Sequence, residues 1–215
     1  MIRAKICCIS SMEEARTAVR AGAAAVGLVS EMPSGPGVIT EAEIARIAAT
    51  VPWPVATVLL TSKTSAQEIL AQQQRCRPSA LQICDTVAPE VRWQLRKALP
   101  GVGLIQVVHV RDAGALDEAQ EAAATCDAIL LDSGNQSLGT PELGGTGRTH
   151  DWAISARIVR EVAVPVILAG GLKAENVAAA VEKVQPWMVD VCSGVRSEDR
   201  LDARKLGAFL AVLRP

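Results

Sequence analysis

The chain has no charge excess of either sign: 22 lysines and arginines stand against 23 aspartates and glutamates in 215 residues, a formal net charge of -1. Nucleic acids and anionic lipid surfaces are recognised through a basic field, so neither is an expected partner. The apolar runs are all of strand length, well short of the ~20 residues that cross a bilayer, and no membrane span is expected. A secretory leader pattern is missing from the N-terminus, and Cys7, Cys8, Cys76, Cys84, Cys126 and Cys192 lack zinc-type spacing. The expectation is a cytoplasmic protein with reduced thiols and no metal. No GxGxxG follows the first apolar run, so the usual dinucleotide signal is absent as well. Any binding site must therefore bring its own local charges.

What is present is a regular alternation of short Val, Ile, Leu and Ala runs with longer amphipathic segments. It occurs eight times, which predicts strands at about residues 2–8, 24–29, 54–60, 79–83, 102–108, 127–131, 165–169 and 187–192, with helices between. Capping-box patterns mark several helix starts: Ser11 with Glu14, Thr40 with Glu43, and Thr64 with Gln67. Repeated strand-helix units require a parallel sheet, and eight of them close most simply into a (β/α)8 TIM barrel. Composition does not shift midway, so residues 1–215 are read as one domain. An open doubly wound sheet is the competing fold, with no need of eight units. In the barrel, the loops that follow the strands share one face, which brings Cys7, Asp132, Gly170 and Ser193 together.

The stretch from Leu130 to Trp152 runs from an apolar strand into a long Gly-rich loop and then a helix start. Asp132 stands where the strand leaves the core. Gly144, Gly145 and Gly147 around Thr146 permit close backbone approach to a ligand and can present amides to an anion. Paired glycines, Gly170 and Gly171, follow strand seven, and Ser193 with Gly194 follows strand eight. Loops in those two places commonly form the phosphate site of a barrel. A thiol, Cys7, ends the first strand. Taken singly, a strand-end Asp caps a turn and a strand-end Cys is a small buried hydrophobe; in one barrel mouth they become a candidate acid and base.

The segments KICCISS, LLDS, GGTGRTHDW, LAGGLKAENV and VDVCSGVR, in this order, resemble the phosphoribosylanthranilate isomerase family of tryptophan biosynthesis. The family pattern reads KICG, LLDS, a GGTG loop with FDW, AGGL and DVSSGVE, and the match covers nearly the whole chain. The resemblance implies an aldose-ketose isomerase that performs an Amadori rearrangement of a phosphoribosylated amine without metal or coenzyme. It implies Asp132 as the acid that opens the sugar ring and Cys7 as the base that takes the proton from carbon 2. It also implies that Gly170, Gly171, Ser193 and Gly194 hold the phosphate, that Gly145, Thr146 and Gly147 cover the substrate, and that Asp190 contacts the sugar. The partner is then a phosphorylated sugar, and the enzyme a monomer or homodimer.

Four departures concern the end of the site that holds the aglycone. The family has an SPR segment after strand two, whose Arg holds the anthranilate carboxylate, whereas residues 30–40 read SEMPSGPGVIT with Glu31 as the one charge. Cys84 and Asp85 replace His and Gly after strand four, Cys8 replaces the Gly of KICG, and Arg196 replaces the Glu of SGVE. A guanidinium is hard to replace for bidentate carboxylate recognition. Arg148 and Arg196 are the candidate substitutes, and Gly37 (or Pro36) is the position where a restored Arg is expected to improve turnover. Two other readings stay open: a relative acting on a sugar phosphate without a benzoate, and a non-catalytic barrel that binds phosphate esters.

Overall fold

The computed structural model describes residues 2–33, 35–133 and 150–214. The strands β1 (Arg3–Ile6), β2 (Ala25–Val29), β3 (Ala56–Thr61), β4 (Ala80–Ile83), β5 (Gly103–His109), β6 (Ala128–Asp132), β7 (Val166–Leu168) and β8 (Met188–Val191) form a closed barrel in sequence order. All pairs are parallel, and β8 returns to β1 through the register Arg3↔Met188 to Ile6↔Val191. Among the described residues, eight α-helices alternate with them: α1 (Met12–Ala21), α2 (Glu41–Ala48), α3 (Ala66–Cys76), α4 (Pro89–Ala98), α5 (Ala115–Ala123), α6 (Trp152–Glu161), α7 (Val177–Val184) and α8 (Ala203–Val212). The predicted barrel is the fold observed, and among the described residues no helix is long and apolar enough to cross a membrane.

The strands read as continuous apolar runs because both of their faces are covered. Ala4, Ile6, Val26, Leu28, Leu59, Leu81, Ile129 and Leu131 pack outward among the helices. Cys7, Ala25, Val29, Val58, Leu60, Ile105, Val107, Leu130, Ile167 and Met188 fill the barrel. The two-residue side-chain period thus decides which residues can meet inside. The strand ends were overextended by the sequence reading. Cys7 and Cys8 lie beyond β1, where Cys8 turns out of the extended region at φ 62. Before β3, the amide of Val55 donates to Pro52 O in a turn, so the strand begins at Ala56.

Ser11 and Thr40 cap α1 and α2 as expected, accepting from the amides of Glu14 and Glu43 at 3.2 Å each. The expected Thr64 and Gln67 pair is displaced by one residue. Ser65 caps α3, accepting from Glu68 N at 3.3 Å while its hydroxyl meets Glu68 Oε2 at 2.7 Å. Both pairs fit the pattern, but only the latter puts a carboxylate against the helix's positive end. A short hairpin after β8 was not foreseen: β9 (Arg196–Ser197) pairs antiparallel with β10 (Arg200–Leu201), and Glu198 and Asp199 turn it with φ of 48 and 58. Ser65→Ala should cost about 1 kcal/mol in chemical denaturation, whereas Thr64→Ala should cost no more than a few tenths. Equal losses from the two would show that the cap is not Ser65.

Candidate active site

Alternation along β1 sends Lys5 and Cys7 to the same inner face, and the β1-β8 register sets Lys5 opposite Asp190. Lys5 Nζ lies 2.9 Å from Asp190 Oδ1 and 3.5 Å from Cys7 Sγ. The lysine is fully buried, at 0% exposure. Burial alone would lower its pKa, yet the Asp190 carboxylate and the Cys7 sulfur together hold it above the ordinary value. Sequence reasoning overlooked Lys5 as a site residue, although its place two residues before Cys7 carried the signal. Gly27 on β2 makes the space: a Cβ there would sit 2.8 Å from Cys7 Sγ and 3.2 Å from Lys5 Cε.

The two proposed proton carriers are tuned in opposite directions. A hydrogen bond from Cys8 is the largest influence on the Cys7 thiol; together with the Lys5 charge it outweighs burial and keeps Cys7 below the ordinary thiol range. Burial pushes the Asp132 carboxyl up to about 6, with the Asp190 charge adding to the effect and the Ser133 amide and Lys5 opposing it. Ser133 N donates to Asp132 Oδ1 at 2.7 Å. A thiol inclined to lose its proton and a carboxyl inclined to keep one suit a general base and a general acid near neutral pH.

The glycine loops adjoin this pair. Gly170 and Gly171 adopt φ of 86 and 60, and Asn176 fastens the turn by donating to Gly171 O at 3.0 Å and accepting from Lys173 N at 2.8 Å. A Cβ on Gly170 would lie 3.3 Å from Asp132 Oδ1 and 3.0 Å from His150 Nδ1, so the loop rests directly on the acid. Ser193 opens a single 3-10 turn, and a Cβ on Gly194 would meet Leu172 O at 2.1 Å. The loops after β7 and β8 therefore pack backbone against backbone. His150, which sequence reasoning did not single out, bonds Ser155 Oγ through Nε2 at 2.7 Å; burial lowers its pKa to about 4. Gly145, Thr146, Gly147 and Arg148 lie outside the described residues.

Arg196, a candidate cation for the benzoate, has both of its terminal nitrogens engaged within the protein. It is 8% exposed, paired with Glu14 Oε2 at 3.2 Å, and donates to the carbonyls of Cys7, Cys8 and Asp199. Asp190 also has a partner inside the protein, since its carboxylate meets Lys5. At the altered end, Gly37 has φ 79, and a Cβ there would lie 2.6 Å from Cys8 Cβ. The expected benefit of Gly37→Arg is thus removed by sterics: position 8 now carries the side chain that fills this space. The Cys84 thiol is pushed up to about 12 by burial, and Asp85 accepts from its neighbour Thr86 N at 2.8 Å.

The raised Asp132 value has a consequence for stability. An ordinary Asp carboxyl titrates at 3.8 and this one, in the folded protein, at about 6, so between the two the folded protein holds the extra proton. Stability should therefore fall as pH rises through this window, by on the order of 3 kcal/mol for a shift of about two pKa units. Asp132→Asn removes the buried charge and should raise the melting temperature at pH 8 while leaving it nearly unchanged at pH 4. The same increment at both pH values would mean that the carboxylate is not desolvated.

Relatives bear the same stamp along the whole chain. The family model for N-(5'-phosphoribosyl)anthranilate (PRA) isomerase matches residues 4–212. The chain is 36% identical to the N-(5'-phosphoribosyl)anthranilate isomerase of Methanocella arvoryzae over 100% of its own length and 99% of that protein. It is 38% identical to the enzyme of that name from Haloarcula marismortui, covering 92% of this chain and 88% of the relative. The crystal structure of phosphoribosyl anthranilate isomerase from Thermotoga maritima superposes with a TM-score of 0.84 at 30% identity, covering 99% and 98% of the two chains. Another solved isomerase, in complex with reduced 1-(O-carboxyphenylamino)-1-deoxyribulose 5-phosphate, gives 0.81 at 26% identity over 98% and 97%. With a closed barrel, an inward thiol and carboxyl at its mouth, and this span of likeness, the chain belongs to the phosphoribosylanthranilate isomerase family.

Proposed function

We propose that the protein isomerises N-(5'-phosphoribosyl)anthranilate by an Amadori rearrangement, as a cytoplasmic enzyme needing neither metal nor coenzyme. The observation that carries this is the opposed tuning of Cys7 and Asp132 in one barrel mouth. Asp132, as the acid, gives its proton to the furanose ring oxygen; the C1–O bond breaks and an imine forms at carbon 1. Cys7, as thiolate, then removes the proton from carbon 2, and the enolamine rearranges to the aminoketose. One proton is given and one taken, so the product is an isomer of the substrate.

Lys5 is the positioning cation in this scheme. It supports the Cys7 thiolate and is itself neutralised by Asp190, so Asp190 acts through Lys5 in addition to any contact with the sugar. Gly170, Gly171, Ser193 and Gly194 are assigned to the phosphate and Gly145, Thr146 and Gly147 to covering the substrate. Arg196 clamps the backbone beneath Cys7 and Cys8. Arg148 is then the mouth-side candidate for the benzoate carboxylate. A sugar phosphate without a benzoate is the second reading, because residues 30–40 supply Glu31 and no cation.

Turnover of synthetic phosphoribosylanthranilate, followed by loss of anthranilate fluorescence, tests the first reading. A kcat/KM of about 10⁴ M⁻¹s⁻¹ or above supports it, while poor turnover with phosphate-ester binding intact points to another aglycone. Cys7→Ser should cut kcat by about a hundredfold or more and leave the affinity for a phosphate-bearing product analogue within about threefold, because a hydroxyl is a far weaker base. Activity close to wild type would remove Cys7 as the base. Gly37→Arg should lower turnover through its collision with Cys8; a clear gain would show that the loop can make way.

A further inference from the structure

Cys8 and Cys192 are two thiols that carry no proton to or from the substrate in the isomerase chemistry. They come from the ends of neighbouring strands, β1 and β8, and the Cys192 thiol donates to Cys8 Sγ at 2.6 Å. Several features of the chain converge on this contact. Cys8 occupies a left-handed conformation, φ 62, that L side chains avoid and glycine takes freely. The family pattern KICG has glycine there, and DVSSGVE has serine at position 192, so both departures fall on residues that touch each other. Gly37 leaves the room that Cys8 needs, since a Cβ on Gly37 would lie 2.6 Å from Cys8 Cβ. The backbone carbonyl of Cys8 is fixed by Arg196. A strained residue held so firmly is the kind of outlier that marks a functional position.

We propose that Cys8 and Cys192 form a reversible disulfide at the barrel mouth, made by small-molecule disulfides such as oxidised glutathione, and that its closure silences Cys7. The effect on turnover rests on the isomerase reading above; the bond itself does not. Cys192, half-buried where Cys8 is buried, is the thiol that the reagent reaches first. Its thiolate attacks the reagent's S–S bond, giving a mixed disulfide and releasing one thiol. Cys8 then loses its proton to solvent, attacks the Cys192 sulfur and expels the second thiol. Two S–H bonds are lost from the protein and one S–S bond is gained; the reagent is reduced to two thiols. Closure uses up the Cys8 S–H that bonds to Cys7, the largest influence favouring the Cys7 thiolate. The Cys8 thiol, held by its bonds to Cys192 and Cys7 and by burial, is pushed up as those of Cys76, Cys84 and Cys126 are, and so reacts second; what sets Cys8 apart is its contact with a half-buried thiol that the reagent can reach.

The test uses the whole protein treated with oxidised glutathione at pH 8 and then alkylated under denaturing conditions. Intact mass should show two fewer alkyl labels than the reduced protein, and peptide mapping should link the segment carrying Cys8 to that carrying Cys192. Cys7→Ser should keep the link, whereas Cys192→Ser should lose it. The linked wild type should lose at least tenfold in turnover and regain it with dithiothreitol, and Cys192→Ser should retain its turnover throughout. The rate at which iodoacetamide labels Cys7 in the native protein should fall at least tenfold on linkage, and this decides the switch even if phosphoribosylanthranilate is not the substrate. Full retention of labels, a link that disappears in Cys7→Ser, or a linked protein whose Cys7 labels within twofold of the reduced rate would each overturn the proposal.

Discussion

An ammonium group sealed inside a barrel is costly unless an anion meets it, and the pairing of Lys5 with Asp190 is the contact on which the rest of this structure depends. The penalty for an unpaired buried ion is several kcal/mol, so the two side chains bind β1 to β8 at the seam where the sheet closes. The same lysine reaches Cys7. It thereby couples closure of the barrel to the state of the thiol. Its bulk demands a neighbour without a side chain, which is Gly27. Across the interior, Asp190 also acts on Asp132, adding like-charge repulsion to the burial that raises the pKa of that carboxyl. One ion pair thus biases the candidate base one way and the candidate acid the other.

Strands were legible because a parallel sheet covered on both faces leaves an unmistakable apolar run, as in Ala128 to Leu131. The face each residue takes follows from the same runs through the two-residue period, which would have placed Lys5 beside Cys7. Contacts between residues distant in sequence were less accessible. Nothing local says that Arg196 is spent on Glu14 and on the carbonyls under Cys7 and Cys8, because its partners lie on the opposite end of the chain. The α3 cap slipped by one residue because Thr64 and Ser65 both fit the capping pattern, and what separates them is the carboxylate of Glu68 where Thr64 would have the amide of Gln67.

The aglycone end shows how one exchange constrains another. A glycine at position 8 leaves space for a side chain from the loop after β2. Here the side chain is on position 8 and the glycine is at position 37, where the bridge between Val29 and Val38 holds the loop close to the mouth. The space is filled from the other side. Restoring a single residue to the family pattern therefore meets its counterpart, and the two positions must change together.

The clamp at Arg196 ties the carbonyl of Cys8 to a residue 188 positions later in the chain. Lys5 likewise finds its counter-ion only in β8. During synthesis from the N-terminus, Cys7 therefore emerges long before the groups that give it a charged neighbour and a fixed backbone. The nascent thiol consequently waits without its clamp and without the ion pair beside it, and both are completed only when β8 and the hairpin after it are added.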